Sequence, residues 1–452
     1  MHEDLADVPF GSAVSYTPLI TITNERTMQP VPSEPSTTRP RSWLAIIGPG
    51  LLLAATGVGG GDLATASIVG GMLGVAVLWA VLVGALLKFV VTEGLARWQL
   101  ASGETLIESA VRRYGRIVVW LFLPYLLLWS FFVGSAQMSA SGVTLHAMLP
   151  VFEDARNGKI VFGMLAGIAG LALVLHGGYR TFQIAMRICI GAMFAMTIVT
   201  AILLWPGTGA ILRGLFVPSI PQLDSESVVW TIALIGGIGG TLTVLCYGYW
   251  LREEGRTGPE ALKTCRLDLG LSYVMTAIFG IAMVIVGTSI QVEGEGTQLL
   301  VRLSERLSEE LGEWGRVLFL VGTFGTVFSS LLGVWQAVPY LFADCWQLLR
   351  GEARIVSSEA RHTVDTRSKP YRVYLVLLAA IPMIGLFTSF REVQKLYTVI
   401  GALFFPVLAL ALLIANGRWV QPAFRNKPAT VIALLGVLAL FAWIAIAGIK
   451  TT

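Results

Sequence analysis

Residues 43–71 read WLAIIGPGLLLAATGVGGGDLATASIVGG. The stretch is apolar enough to enter lipid, yet its centre carries Gly57, Val58, Gly59, Gly60, Gly61 and Asp62 in a row. A bilayer crossing takes about 20 predominantly apolar residues. Three consecutive glycines weaken a helix strongly, and a mid-span carboxylate is costly without partners. Together they predict a helix that unwinds at its middle, with backbone carbonyls and Asp62 facing a cavity. Close glycine packing around a satisfied Asp is the competing reading.

The rest of the chain has the same character. Of 452 residues, 55% are hydrophobic and 13% charged, against about 25% charged in soluble domains. Apolar runs fall at 43–72, 74–96, 117–145, 159–176, 181–204, 229–251, 268–290, 315–343, 371–389, 395–416 and 429–449. They are too long and continuous for barrel strands. The fold class expected is therefore all-α integral membrane, with about eleven transmembrane helices. Residues 1–42 are polar and rich in Pro, Ser and Thr, and read as a disordered tail. With the N-terminus inside, most Arg and Lys fall on cytoplasmic loops, which gives an N-in, C-out, multi-pass protein of a cell membrane. The loops at 205–228 and 291–314 then face outside, and leucines at helical spacing in the second suggest an amphipathic surface helix.

A second glycine cluster lies in TIALIGGIGGTLTVLCYGYWLREEG, residues 231–255, with Gly236, Gly237, Gly239 and Gly240 ahead of Cys246, Tyr247, Gly248 and Tyr249. Two broken helices five spans apart are the pattern of inverted-repeat transporters, whose substrate sits between the breaks. The repeats are expected at 43–204 and 229–416, with 429–449 an additional helix. Lys88 and Glu93 lie on the second span; Lys88 is expected to snorkel to the interface, and Glu93 is a candidate for coupling. Arg252 and Glu253 end the sixth span and are gating candidates. Gln137, Thr326, Ser329, Ser330, Gln336 and Thr398 are the remaining polar residues able to line a path or join helices. The four Cys form no CxxC pair, the four His are scattered, and no nucleotide loop or nucleophile elbow occurs. Enzymatic activity, a resident cofactor and nucleic-acid binding are not expected, and the chain is read as a monomer in the lipid bilayer.

The motifs resemble a family. GPGLLLAATGVGGGDLAT at 48–65, LARWQLASGETLIES at 95–109 and YRTFQ at 179–183 are similar to the corresponding segments of the Nramp divalent-metal transporters, which have a LeuT-like fold of the APC superfamily. The resemblance spans nearly the whole membrane region. It implies a proton-coupled metal carrier, with departures. The family's metal-ligating Asp falls on Gly59 and its ligating Asn on Asp62, so Asp62 is the expected metal ligand. The family's Met and His on the sixth span are absent: no Met or His occurs between residues 229 and 254. Cys246 and Tyr247 stand in that region, and Thr398 falls where the family has Gln. The substrate-site candidates are thus Asp62, Gly59, Cys246, Tyr247 and Thr398. The expected function is secondary transport of a small cation, a hard divalent ion such as Mg2+ in preference to Mn or Fe. Carriage of a non-metal solute, or a non-transporting role, is the alternative.

The charge bias predicts that single cysteines placed in the N-terminal tail and at Thr451 label from opposite sides of the membrane; labelling from the same side would refute the odd number of crossings.

Overall fold

The computed structural model describes residues 49–222, 224–289, 299–351 and 365–450. The tail at 1–42, the start of the first span and the head of the 291–314 segment lie outside the described residues. Every regular element among those described is helical. Eight helical stretches are long and apolar enough to cross a membrane, or nine when the bent pair Thr197–Leu203 and Thr208–Phe216 counts as one.

The described residues begin with α1 (Pro49–Gly57) and α2 (Gly60–Leu73), interrupted at Val58 and Gly59. Gly74, at φ 66°, ends α2, and a 3-10 turn over Gly74–Val77 leads into α3 (Leu78–Ser102). The short α4 (Leu106–Tyr114) begins with a capping box, in which Glu108 N–H donates to the Thr105 hydroxyl and Thr105 N–H to the Glu108 carboxylate. Next come α5 (Ile117–Met148) and α6 (Ala155–Leu203). The fourth and fifth expected spans are not separated by a loop: α6 is 49 residues of continuous helix, about 74 Å at 1.5 Å per residue. The segment contains no proline, and the Gly177–Gly178 pair does not stop the helix. Within it Ala155–His176 is long and apolar enough to cross a membrane. Leu63–Ser102 is a further apolar stretch of 40 residues, interrupted at Gly74. The fold class expected from the sequence, all-α and membrane-spanning, is the one observed among the described residues.

The chain then bends by 118° into α7 (Thr208–Phe216), within the expected 205–228 loop. The second half comprises α8 (Ser225–Gly237), a 3-10 turn over Leu242–Cys246, α9 (Tyr247–Glu253) and α10 (Gly258–Gly287). It continues with α11 (Leu299–Arg350), α12 (Lys369–Ala380), α13 (Phe390–Ala402), α14 (Phe404–Arg418) and α15 (Pro428–Lys450). Gly312, at φ 70°, divides α11 into a leading helix in the expected amphipathic segment and the span that follows.

Packing places both broken helices inside. α10 lies against α2 and α3, while α11 packs along α5 and α6. The segment from Ser225 to Glu253 is the most enclosed of the apolar stretches among the described residues, so α8 and α9 lie within the protein. Gly142 on α5 rides against α6 so closely that a Cβ there would stand 2.1 Å from the Lys159 carbonyl oxygen. Gly142→Leu is expected to cost about 1–3 kcal/mol through overpacking, read as a lowered melting temperature of the purified protein; an unchanged melting temperature would refute this contact.

Candidate functional site

The two breaks touch each other through backbone. A Cβ on Gly57 would lie 2.5 Å from the Gly239 carbonyl carbon and 2.7 Å from the Gly240 nitrogen. Gly239 and Gly240 have φ 76° and 87°, a region that favours glycine. Beyond them Thr241 is fixed by the buried Trp129 of α5, whose indole N–H donates to its hydroxyl at 2.9 Å. The predicted interruptions of the first and sixth spans are therefore real, at Val58–Gly59 and at Ile238–Thr241, and they are neighbours.

A break inside a span strands backbone groups that a continuous helix would pair. Thr56 C=O is met by the Ser330 hydroxyl of α11 at 2.7 Å. Ser330 thereby fills the space beside Gly59: a Cβ at that glycine would stand 2.1 Å from Ser330 Cβ and 3.6 Å from Gln137 Nε2. Gly59, expected from the sequence to stand where a metal-ligating Asp would, thus has no room for a side chain. Asp62 falls in the first turn of α2; its side chain lies outside those described.

α13 closes another side. Gly237 lies beside the Thr398 methyl, with 3.1 Å available to a Cβ, and the Thr398 hydroxyl donates to Gln394 C=O at 2.9 Å in its own helix. Gln394 was missed by the sequence reading. Its amide nitrogen donates to Ala136 C=O of α5 at 3.0 Å, and its buried Oε1 has no partner among the described residues. Its spacing of four from Thr398, on the same helix face, was the available signal.

Lys88 does not snorkel. It is 1% exposed, and its ammonium donates to Gly236 C=O at 2.7 Å and to Ile238 C=O. Both carbonyls belong to the end of α8.

The other candidates gather away from the break. The Cys246 thiol donates to Ala337 C=O at 3.5 Å and is wholly buried. The Tyr247 hydroxyl donates to Asp268 at 3.3 Å, and the same carboxylate oxygen accepts from Gly50 N–H at 2.8 Å and from Arg256 at 3.4 Å. Arg252 forms an ion pair with Glu108 of α4, Tyr340 donates to Glu253 at 3.4 Å, and Tyr249 donates to Asp344 at 2.5 Å. Glu93 lies between Arg97 at 2.7 Å and Arg266 at 2.8 Å. Gln99 donates to Gly248 C=O at 2.6 Å and joins the end of α3 to α9. Tyr247, Arg252, Glu253 and Glu93 thus belong to polar contacts that tie α9 and α10 to α1, α3, α4 and α11, whereas Gly59 and Thr398 sit at the break. Asp268 and Asp344, which anchor two of these contacts, were also missed. Outside the spans, burial raises the Glu104 carboxyl above its ordinary range while its ion pair with Arg112, at 2.6 Å, pulls it down. Among the described residues no three His, Cys, Asp or Glu side chains group as a metal site.

A sequence model of the natural resistance-associated macrophage protein-like family matches residues 50–451. Among relatives, an uncharacterized protein of Pasteurella multocida is 21% identical over 69% of this chain and 72% of its own length. The divalent metal cation transporter MntH of Chromohalobacter salexigens is 23% identical over 65% of this chain and 69% of its own. Among solved structures, the Eremococcus coleocola manganese transporter superposes with a TM-score of 0.63 at 15% identity, covering 90% of this chain and 95% of that one. MhsT in complex with L-phenylalanine gives 0.57 at 15%, covering 91% and 99%. These two structures bear on the fold.

Gly59→Asp should sharply lower folded yield and melting temperature, because its Cβ meets Ser330 Cβ at 2.1 Å. Adding Ser330→Gly, which empties that space, should recover much of the loss in size-exclusion and melting assays. A Gly59→Asp protein as stable as the parent would refute the close packing.

Proposed function

This chain belongs to the natural resistance-associated macrophage protein-like family, and from that membership we propose that it is a secondary transporter for a small cation, of the hard divalent class represented by Mg2+. The observation that carries the reading is the contact between the two broken helices at Gly57 and Gly239–Gly240. Interrupted helices that meet inside a membrane protein leave backbone oxygens and N–H groups free to face a solute.

The donor chemistry supports a hard ion. The groups gathered around the breaks are carbonyls, Thr241, Ser330, Gln137, Gln394 and Thr398, with Asp62 in the first turn of α2. No Met or His lies in the sixth span, and the Cys246 thiol is turned onto Ala337. Hard cations prefer oxygen and often keep part of their water; soft thioether and thiolate ligands select transition metals. MntH is named a divalent metal cation transporter and the Eremococcus coleocola protein a manganese transporter. In this chain the position aligned with the family's ligating Asp is Gly59, so Asp62 supplies the negative charge, one turn along.

Transport by this fold requires the site to open to each side in turn. α1 begins at the polar contacts: Gly50 N–H is held by Asp268, which also binds Tyr247 and Arg256. Opening toward that end requires these bonds to part, so they act as a latch on α1. We assign the N-terminus and this latch to the cytoplasmic side of a cell membrane, with the repeats at 43–204 and 229–416 moving against each other.

Proteoliposomes loaded with a fluorescent reporter and challenged with Mg2+, Mn2+ and Ca2+ test the reading. Mg2+ entry is expected to exceed Mn2+ entry. Asp62→Asn should lower uptake about tenfold or more, equivalent to about 1.4 kcal/mol or more, with an unchanged size-exclusion profile. Normal uptake by Asp62→Asn would remove Asp62 from the site, and a wild type that admits none of the ions would refute the cation reading. Coupling is tested in the same vesicles. The third span carries no acidic residue, and Glu93 is engaged by two arginines, so uptake is expected to be insensitive to an imposed pH gradient. An uptake-linked pH change that disappears in Glu93→Gln would instead establish a proton route through the second span.

A further inference from the structure

Lys88 is the one basic residue of α3 placed at a helix break, and its surroundings are built to receive it. α3 approaches α8 through Gly84, one turn before Lys88, where a Cβ would stand 2.8 Å from the Ile235 carbonyl oxygen. That proximity brings the Lys88 ammonium to Gly236 C=O at 2.7 Å and to Ile238 C=O. In an unbroken helix these two oxygens would accept from the N–H groups of Gly240 and Leu242. The turn at Gly239 and Gly240 removes both donors. The oxygens are also the negative end of the α8 dipole. The Phe405 ring, 5.2 Å from the ammonium nitrogen, adds its negative face. Carbonyl oxygens converging at the end of an interrupted helix, beside an aromatic face, form a ligand set for a small monovalent cation.

We propose that the Gly236 and Ile238 carbonyls form a monovalent-cation site that the protein fills from within by the ammonium of Lys88, so that the broken sixth span is held together without a free ion. The inference goes beyond the cation-carrier reading and stands without it. Lys88 approaches from α3, whereas Gly57 approaches the same break from α1. The tethered charge therefore sits at a different contact from the meeting of the two breaks. A tether also fixes occupancy: the ammonium is always present at the site, where a free ion would depend on its concentration.

Melting temperatures of the purified full chain test this with Na+, K+, methylammonium or N-methylglucamine as the sole added monovalent cation at equal ionic strength. The wild type is expected to melt at the same temperature in all four. Lys88→Ala removes the ammonium and opens the site; it should melt about 5 °C or more lower in N-methylglucamine and recover at least half of that loss in methylammonium, Na+ or K+. Lys88→Gln keeps the length and an N–H donor but not the charge, and should show the same dependence in milder form. A wild type stabilised by Na+ or K+ over N-methylglucamine would overturn the proposal, since the site would then be taking a free ion. So would a Lys88→Gln protein as stable as the wild type in N-methylglucamine, which would make the contact an ordinary hydrogen bond. A folded Lys88→Ala protein equally destabilised in all four cations would overturn it as well.

Discussion

A peptide group inside a bilayer must be hydrogen-bonded by the protein, because the hydrocarbon offers no partner and each unmet group costs several kcal/mol. The rest of this structure follows from that constraint. Interrupting two spans releases backbone groups at the place hardest to satisfy them, and side chains from other spans answer. Ser330 meets Thr56 C=O, and Lys88 meets Gly236 and Ile238 C=O. Trp129 holds the hydroxyl of Thr241 just beyond the second interruption. Each bond is made from a different helix, so α3, α5 and α11 are pinned to the breaks by the same requirement that made the breaks expensive.

Much of this was legible in the sequence, and the reasons separate what was read from what was not. Glycine runs announced both interruptions because their effect is local: backbone freedom without a side chain to pack. The apolar run lengths gave the spans for the same reason. Neighbours were not legible. Gly59 was read as a place where a ligand had been lost, but only three-dimensional packing reveals that Ser330 occupies the volume. Cys246 and Tyr247 looked like site residues by proximity in the chain. The 3-10 turn over Leu242–Cys246 carries them onto α11 and α10. Lys88 was read from its position along the second span, which says nothing of the carbonyls facing it across α8. Asp268 and Asp344 passed unnoticed near the ends of apolar runs, where charge is ordinary in a sequence; in the fold both are buried.

The polar contacts around α9 and the contact between the breaks are built differently. Tyr247, Tyr249, Arg252 and Glu253 leave a seven-residue helix and reach α10, α11 and α4. Directed bonds of this kind hold one arrangement until all yield together, which suits a closure that must be either shut or open. The glycine contact between the breaks is different in kind. It is held by shape, and shape permits small rotations.

The meeting of Gly57 with Gly239 and Gly240 has a consequence for descent. Gly57 cannot gain so much as a methyl group while the second break keeps its course. One codon, for Gly57, and a distant adjacent pair, for Gly239 and Gly240, therefore answer to a single steric demand. A lineage that enlarges Gly57 must first have moved a whole half-helix, and with it the geometry of whatever the protein carries. The crossing acts as a ratchet on the history of the protein: a side chain at Gly57 must wait for a shift of the second break.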